Sequence, residues 1–113
     1  MAAPLPGKAV RGSKTGRPIM AVLDLMGRRW MMRVTWELRG GALTFRELQA
    51  RCDNMSPTVL NQRLKDLREA GIVDVAEDEG YILSSMGMDL LRALRPLLEW
   101  SEAWHKNLQG HRD

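Results

Sequence analysis

The stretch TFRELQARCDNMSPTVLNQRLKDLREAGIV, residues 44–73, holds two helix starts in close succession. Thr44 is a good N-cap, and Glu47 three residues later completes a capping box, in which side chain and backbone satisfy each other's orphan donors. Phe45, Leu48 and Cys52 follow as inward candidates. After a short turn, Ser56 caps a second helix with Pro57 at its first position, where the missing N–H costs nothing. That helix runs to about Ala70, and Gly71 ends it. Its faces divide. Leu60, Leu64 and Leu67 share one side, while Thr58, Gln62 and Lys65 fall near the opposite side with Asn61 on its flank. Arg63, beside the apolar stripe, reads as a structural ion-pair residue.

Upstream, Pro18 opens a helix with Ile19, Val22, Leu23 and Met26 at helical spacing, and Gly27 is expected as a left-handed stop. RRWMMRVTWEL, residues 28–38, forms a second helix with Trp30, Met31, Val34 and Leu38 on one face. Met32 and Trp36 point elsewhere, so this helix has two apolar faces. Downstream, residues 72–83 read as two short strands around a turn, with Gly80 permitting the reversal. Ser84 or Ser85 then caps a long helix with a bend expected at Pro96.

Helix, tight turn, helix, hairpin is the order of a winged helix-turn-helix, a mainly α fold with a small β-hairpin wing, in which the second helix lies in the major groove. The split face then has a use. Leucines seat the helix; Asn61 and Gln62 can pair bidentately with adenine; Lys65 can reach guanine or phosphate; and Ser56, Pro57 and Thr58 lie where phosphate or base-edge contacts are made.

The bulk numbers agree with one small domain. A chain of 113 residues, 44% hydrophobic and 27% charged, is ordinary for a single globular core. The basic pI is a tail property. The first twenty residues hold Lys8, Arg11, Lys14 and Arg17 and no acid, whereas 13 basic and 14 acidic side chains share the rest of the chain. We divide the chain into a flexible basic tail (1–16), the winged-helix domain with its dimerisation helices (17–108) and a short C-terminal tail (109–113). Lys14 and Arg17 are candidate contacts of an arm to the DNA backbone.

No uncharged run exceeds about nine residues, short of the ~20 needed to span a bilayer, and no signal-peptide core is evident, which places the protein in the cytoplasm with no membrane partner. One cysteine, Cys52, excludes an internal disulfide, and no Cys/His cluster has metal-ligand spacing. Cys52 is expected in the core. His105 and His111 have no nucleophilic or acidic partner at catalytic spacing, and no phosphate-binding glycine loop exists, so neither an enzyme nor a cofactor is expected.

LDLMGRRW, TFRELQ, MSPTVLNQRLKDLREAGIV, GYILSSMG and LRPLLEWSEAW, in that order over nearly all of residues 17–104, resemble the HxlR-type helix-turn-helix regulators of the MarR-like superfamily. The resemblance implies a homodimeric bacterial transcription regulator, dimerised through its N-terminal region and last helix, that binds double-stranded DNA at a palindromic operator. It implies recognition for residues 56–70 and a wing for residues 72–83. Two features depart from the family pattern. Arg17 stands before Pro18 where members often carry a cysteine, in some a redox or electrophile sensor, and the wing is short with Glu77, Asp78 and Glu79 at its tip, a charge that repels phosphate.

Trp30, Trp36, Trp100 and Trp104 carry most of the aromatic surface, a residue type favoured at interfaces. Dimer packing accounts for it. A sharper expectation is that Met32, Trp36, Trp100 and Trp104 form a dimer surface or line a pocket for a flat apolar effector between subunits. The acidic hairpin and the two-faced second helix also suit a different role, that of a protein-interaction module that no longer reads DNA.

Overall fold

A computed structural model describes residues 3–9, 16–78 and 80–110. Among the described residues, five α-helices and one hairpin follow in the order α1 (Pro18–Gly27), α2 (Met31–Glu37), α3 (Phe45–Arg51), α4 (Pro57–Glu69), β1 (Val73–Val75), β2 (Tyr81–Leu83) and α5 (Ser85–Gly110). A 3-10 turn, Leu38–Gly40, extends α2. The fold is a winged helix-turn-helix, mainly helical with a two-stranded antiparallel wing.

Leu60, Leu64 and Leu67 of α4 meet Leu48 of α3 and Met31, Val34 and Leu38 of the α2 region in one core. Full burial of each such side chain contributes roughly 1.5–3 kcal/mol. Cys52 belongs to the same cluster. Phe45 lies half-buried against it, as does Trp30.

The start signals act locally and are formed as read. Thr44 Oγ1 accepts from the Glu47 N–H at 3.1 Å, and Glu47 Oε1 accepts from the Thr44 N–H at 3.0 Å. Ser56 caps α4 through the Val59 N–H, and Gly71 takes φ +74 beyond its last turn. Between α3 and α4, Asp53 and Asn54 are both left-handed, at φ 57 and 53, a conformation these two residue types tolerate better than most.

The end of α1 differs from expectation. Gly27 is its last helical residue and Arg28 continues extended, at φ −70 and ψ 141. The left-handed residue is Trp30, at φ 72, which closes the turn in which the Met31 N–H donates to the Arg28 carbonyl. A tryptophan adopts that region only where its surroundings hold it. Half-burial of its ring and the anchoring of Arg28 described below supply the restraint.

β1 and β2 pair with Val73 opposite Leu83 and Val75 opposite Tyr81. Leu43 adds a bridge to Tyr81, with reciprocal hydrogen bonds of 3.0 and 2.7 Å, so the wing is tied to the segment before α3. Gly80 serves this approach, because a Cβ there would stand 3.2 Å from the Leu43 carbonyl oxygen.

Ser84 joins wing and α5. Its hydroxyl donates to the Gly71 carbonyl at 2.6 Å and accepts from the Gly87 N–H at 3.0 Å. Gly87 is buried where any Cβ would collide with the Ile72 carbonyl. From this anchored start α5 runs continuously through Pro96, about 39 Å at 1.5 Å per residue. Its second half is largely exposed. Among the described residues no helix is long and apolar enough to cross a membrane.

Candidate nucleic-acid interface

α3 and α4 are held at their turn by the side chains of Gln49 and Arg33. Gln49 Nε2 donates to the Met55 carbonyl at 2.8 Å. Arg33 of α2 donates from NH2 to the Arg51 carbonyl at 2.6 Å and pairs with Glu37 at 2.8 Å and Asp53 at 3.4 Å. Backbone donors left at the turn are used as well, since the Asn54 N–H bonds to the Gln49 carbonyl.

α4 presents its polar side outward from this support. Thr58, Asn61 and Lys65 are exposed, as are Ser56 and Pro57 at the start of the helix. Among the described residues, the side chains of Thr58, Asn61 and Lys65 have no hydrogen-bond or ion-pair partner. Their donors and acceptors are open to an external ligand at no internal cost.

Gln62 is placed differently. It lies half-buried at the border of the outward face, and its Nε2 donates to Asp66 Oδ1 at 3.0 Å. Asp66 is 1% exposed. Its other oxygen, Oδ2, accepts from Arg28 NH1 at 3.2 Å and from Arg63 NH1 at 3.1 Å. Arg63 also donates from Nε to the Arg29 carbonyl at 2.9 Å, so α4 is clamped to the α1–α2 junction. Arg63 is an ion-pair residue, as its position beside the apolar stripe indicates. Asp66 is absent from the residues singled out in the sequence. Its signal there is a lone acid three residues after an arginine and four after a glutamine, the spacings at which helical side chains meet.

Arg17 is exposed at the N-cap of α1, while Lys14 lies outside the described residues. Part of the segment read as a flexible tail is docked: Ala3 is buried in the core and its N–H donates to Glu69 Oε2 at 3.2 Å. At the wing tip Glu77 and Asp78 are exposed, and Glu79 lies outside the described residues.

Within one chain, the four residues named for a dimer or effector surface lie at two places. Met32 and Trp36 line an open groove of about 830 Å³ between α2 and α5, with Met88, Leu91, Leu94 and Leu98. Arg39 stacks over the Trp36 ring at 4.2 Å. Trp100 and Trp104 are not part of that lining. They stack on each other further along α5, centroids 5.4 Å apart, 58% and 52% exposed. Helical periodicity causes the split. Leu91, Leu94 and Leu98 turn toward α2, Trp100, Trp104 and Leu108 form a separate stripe, and Leu97 lies on the border between them.

Cys52 is fully buried, and burial pushes its thiol above the ordinary value. Among the described residues no group of His, Cys, Asp and Glu is placed to hold a metal ion.

Comparison with known proteins agrees with this architecture. The model of the HxlR-like helix-turn-helix family matches residues 25–109. The uncharacterized HTH-type transcriptional regulator YvaP of Bacillus subtilis is 31% identical over 88 residues, covering 73% of this chain and 82% of YvaP. Quinone-bound YodB from B. subtilis is similar in structure, with a TM-score of 0.65 and 26% identity over 79% of this chain and 94% of YodB. A possible HxlR family transcriptional factor from Thermoplasma volcanium also scores 0.65, with 28% identity over 75% of this chain and 82% of that protein. The chain belongs to the HxlR-like helix-turn-helix family of transcriptional regulators.

Proposed function

We propose that the protein is a homodimeric, sequence-specific DNA-binding regulator that sets α4 into the major groove of a palindromic operator in a bacterial cytoplasm. One observation carries the reading: Thr58, Asn61 and Lys65 stand exposed and, among the described residues, without internal partners on a helix whose opposite face is sealed in the core. Asn61 offers the donor and acceptor that adenine requires, and Lys65 reaches guanine or phosphate. Ser56, Pro57 and Thr58 at the helix start lie where the backbone of the duplex approaches. Arg17 and Lys14 supply an additional backbone arm. The wing, acidic at Glu77 and Asp78, stays clear of the phosphates.

Dimerisation is supported by exposed apolar side chains at two places, Ile19 and Leu23 on α1 and Leu97, Trp100, Trp104 and Leu108 on α5. Stripes of this kind on a helix free of its own domain are covered by a second copy most simply. A two-fold dimer then reads half-sites about one DNA turn apart, ~34 Å. Regulation by an apolar effector fits the groove beside Met32 and Trp36, whose volume lies within the ~300–1,000 Å³ usual for small-molecule sites. Binding of a quinone by the structurally similar YodB supports the same idea.

Alanine variants of α4 test the reading. Thr58→Ala with Asn61→Ala lowers discrimination between operators, whereas Lys65→Ala weakens all duplexes alike and reduces the salt slope by about 1. Binding by both variants equal to that of the parent protein contradicts the assignment of α4.

A further inference from the structure

We infer that Asp66 is the positioning residue of the reading face: it holds the amide of Gln62 by its nitrogen end and thereby commits that side chain to adenine at one position of each half-site. The inference rests on α4 being the helix that reads DNA, and it goes further in assigning a base and an internal residue that enforces the choice.

The chemistry of the contact leaves no freedom in the amide. A carboxylate has acceptors only, so the end of Gln62 that faces Asp66 Oδ1 at 3.0 Å is the NH2 group and not the carbonyl. Asp66 cannot turn away. Its Oδ2 is engaged by Arg28 NH1 and Arg63 NH1, and the whole side chain is buried. An unanchored glutamine flips its amide and offers a donor or an acceptor as the partner requires. Here the nitrogen end is committed inward, and the carbonyl oxygen with the second N–H of the amide is left for a ligand.

That remaining pair matches one base best. Adenine gives its N6 amino group to the oxygen and takes the N–H at N7. Guanine and thymine place O6 and O4 where the amide oxygen already stands, acceptor against acceptor. Cytosine supplies an amino group but no acceptor beside it. Gln62 lies at the edge of the exposed face, next to Asn61 and one turn from Thr58 and Lys65, so its free edge borders the same surface.

The experiment is selection of bound duplexes from a random pool, followed by competition binding with single-base changes. It uses the full chain and variants checked to be folded by circular dichroism. The parent protein prefers adenine over guanine by about tenfold at one position per half-site. Gln62→Ala removes that preference. Asp66→Asn removes it too, because the substituted amide both donates and accepts and lets the Gln62 amide flip; preferences at other positions persist. Gln62→Ala leaves the Arg28 and Arg63 pairs of Asp66 in place, so its outcome does not depend on the folding of the Asp66 variant. Retention of adenine by Gln62→Ala overturns the inference. So does an Asp66→Asn protein that binds every sequence more weakly while keeping the adenine preference, which marks Asp66 as structural only. Absence of any preferred sequence for the parent protein contradicts the reading of α4 itself.

Discussion

Arg28 and Asp66 stand 38 residues apart in the chain and 3.2 Å apart in the structure. One belongs to the exit of α1 and the other to the last turns of α4, so the ion pair helps to set α4 against the junction of the first two helices. Arg63 completes the cluster from within α4. Removing Asp66 takes away the carboxylate that both Arg28 and Arg63, each largely buried, donate to. Asp66→Ala is expected to lose about 3–5 kcal/mol, the range for breaking a buried pair on one side, and urea unfolding measures it. A loss below about 1 kcal/mol, the level of an exposed pair, contradicts the role given to the cluster.

The capping box makes stability depend on acid. Backbone and then side-chain hydrogen bonds from Thr44 lower the Glu47 carboxyl below its ordinary value. A carboxyl lowered in the folded state stabilises fully above its unfolded pKa, about 4.3, and loses that contribution as pH falls through the folded value. Glu47→Gln therefore differs from the parent protein at neutral pH, and the gap narrows below about pH 4. Thermal melts on the two sides of that value check this; a gap that is constant with pH contradicts it.

The Cys52 thiol is sealed in the core and raised by burial, with the guanidinium of Arg33 opposing that shift. Reaction with a thiol reagent requires the thiolate and access. Labelling of the native protein is expected to be at least about a hundredfold slower than in denaturant, because it awaits opening of the core. Rapid labelling under native conditions overturns the assignment of Cys52 to packing.

Trp100 and Trp104 stack with more than half of each side chain exposed. Trp104→Glu places a charge in the stripe that a second copy is proposed to cover. Sedimentation is expected to show the 12.8 kDa chain alone for the variant and twice that mass for the parent protein. Equal masses for both contradict dimerisation through α5.

The helix-turn-helix is legible in the sequence because its signals are local. A capping box and a Ser-Pro start are complete within four residues and need nothing from the rest of the chain, and the leucine stripe of α4 follows from its period. Interactions spanning the chain are not legible in this way. Nothing near Asp66 names Arg28 as its partner, and residue type alone groups Gln62 with Asn61, while the structure holds its amide inward. Propensity assigns the left-handed position at the end of α1 to Gly27, whereas tertiary restraint puts it on Trp30. On α5 the aromatic side chains single out Trp100 and Trp104, yet Leu91, Leu94 and Leu98 are the ones that face α2.

Whether the outward face of α4 reads sequence is measured most directly by selecting bound duplexes from a random pool, at near-physiological salt and with the full chain. Enrichment of a two-fold-symmetric motif with half-sites about one helical turn apart is the expected result. Recovery of unselected DNA, or of none, contradicts it, makes that face an ordinary solvated surface and leaves the winged helix as a module that binds another protein.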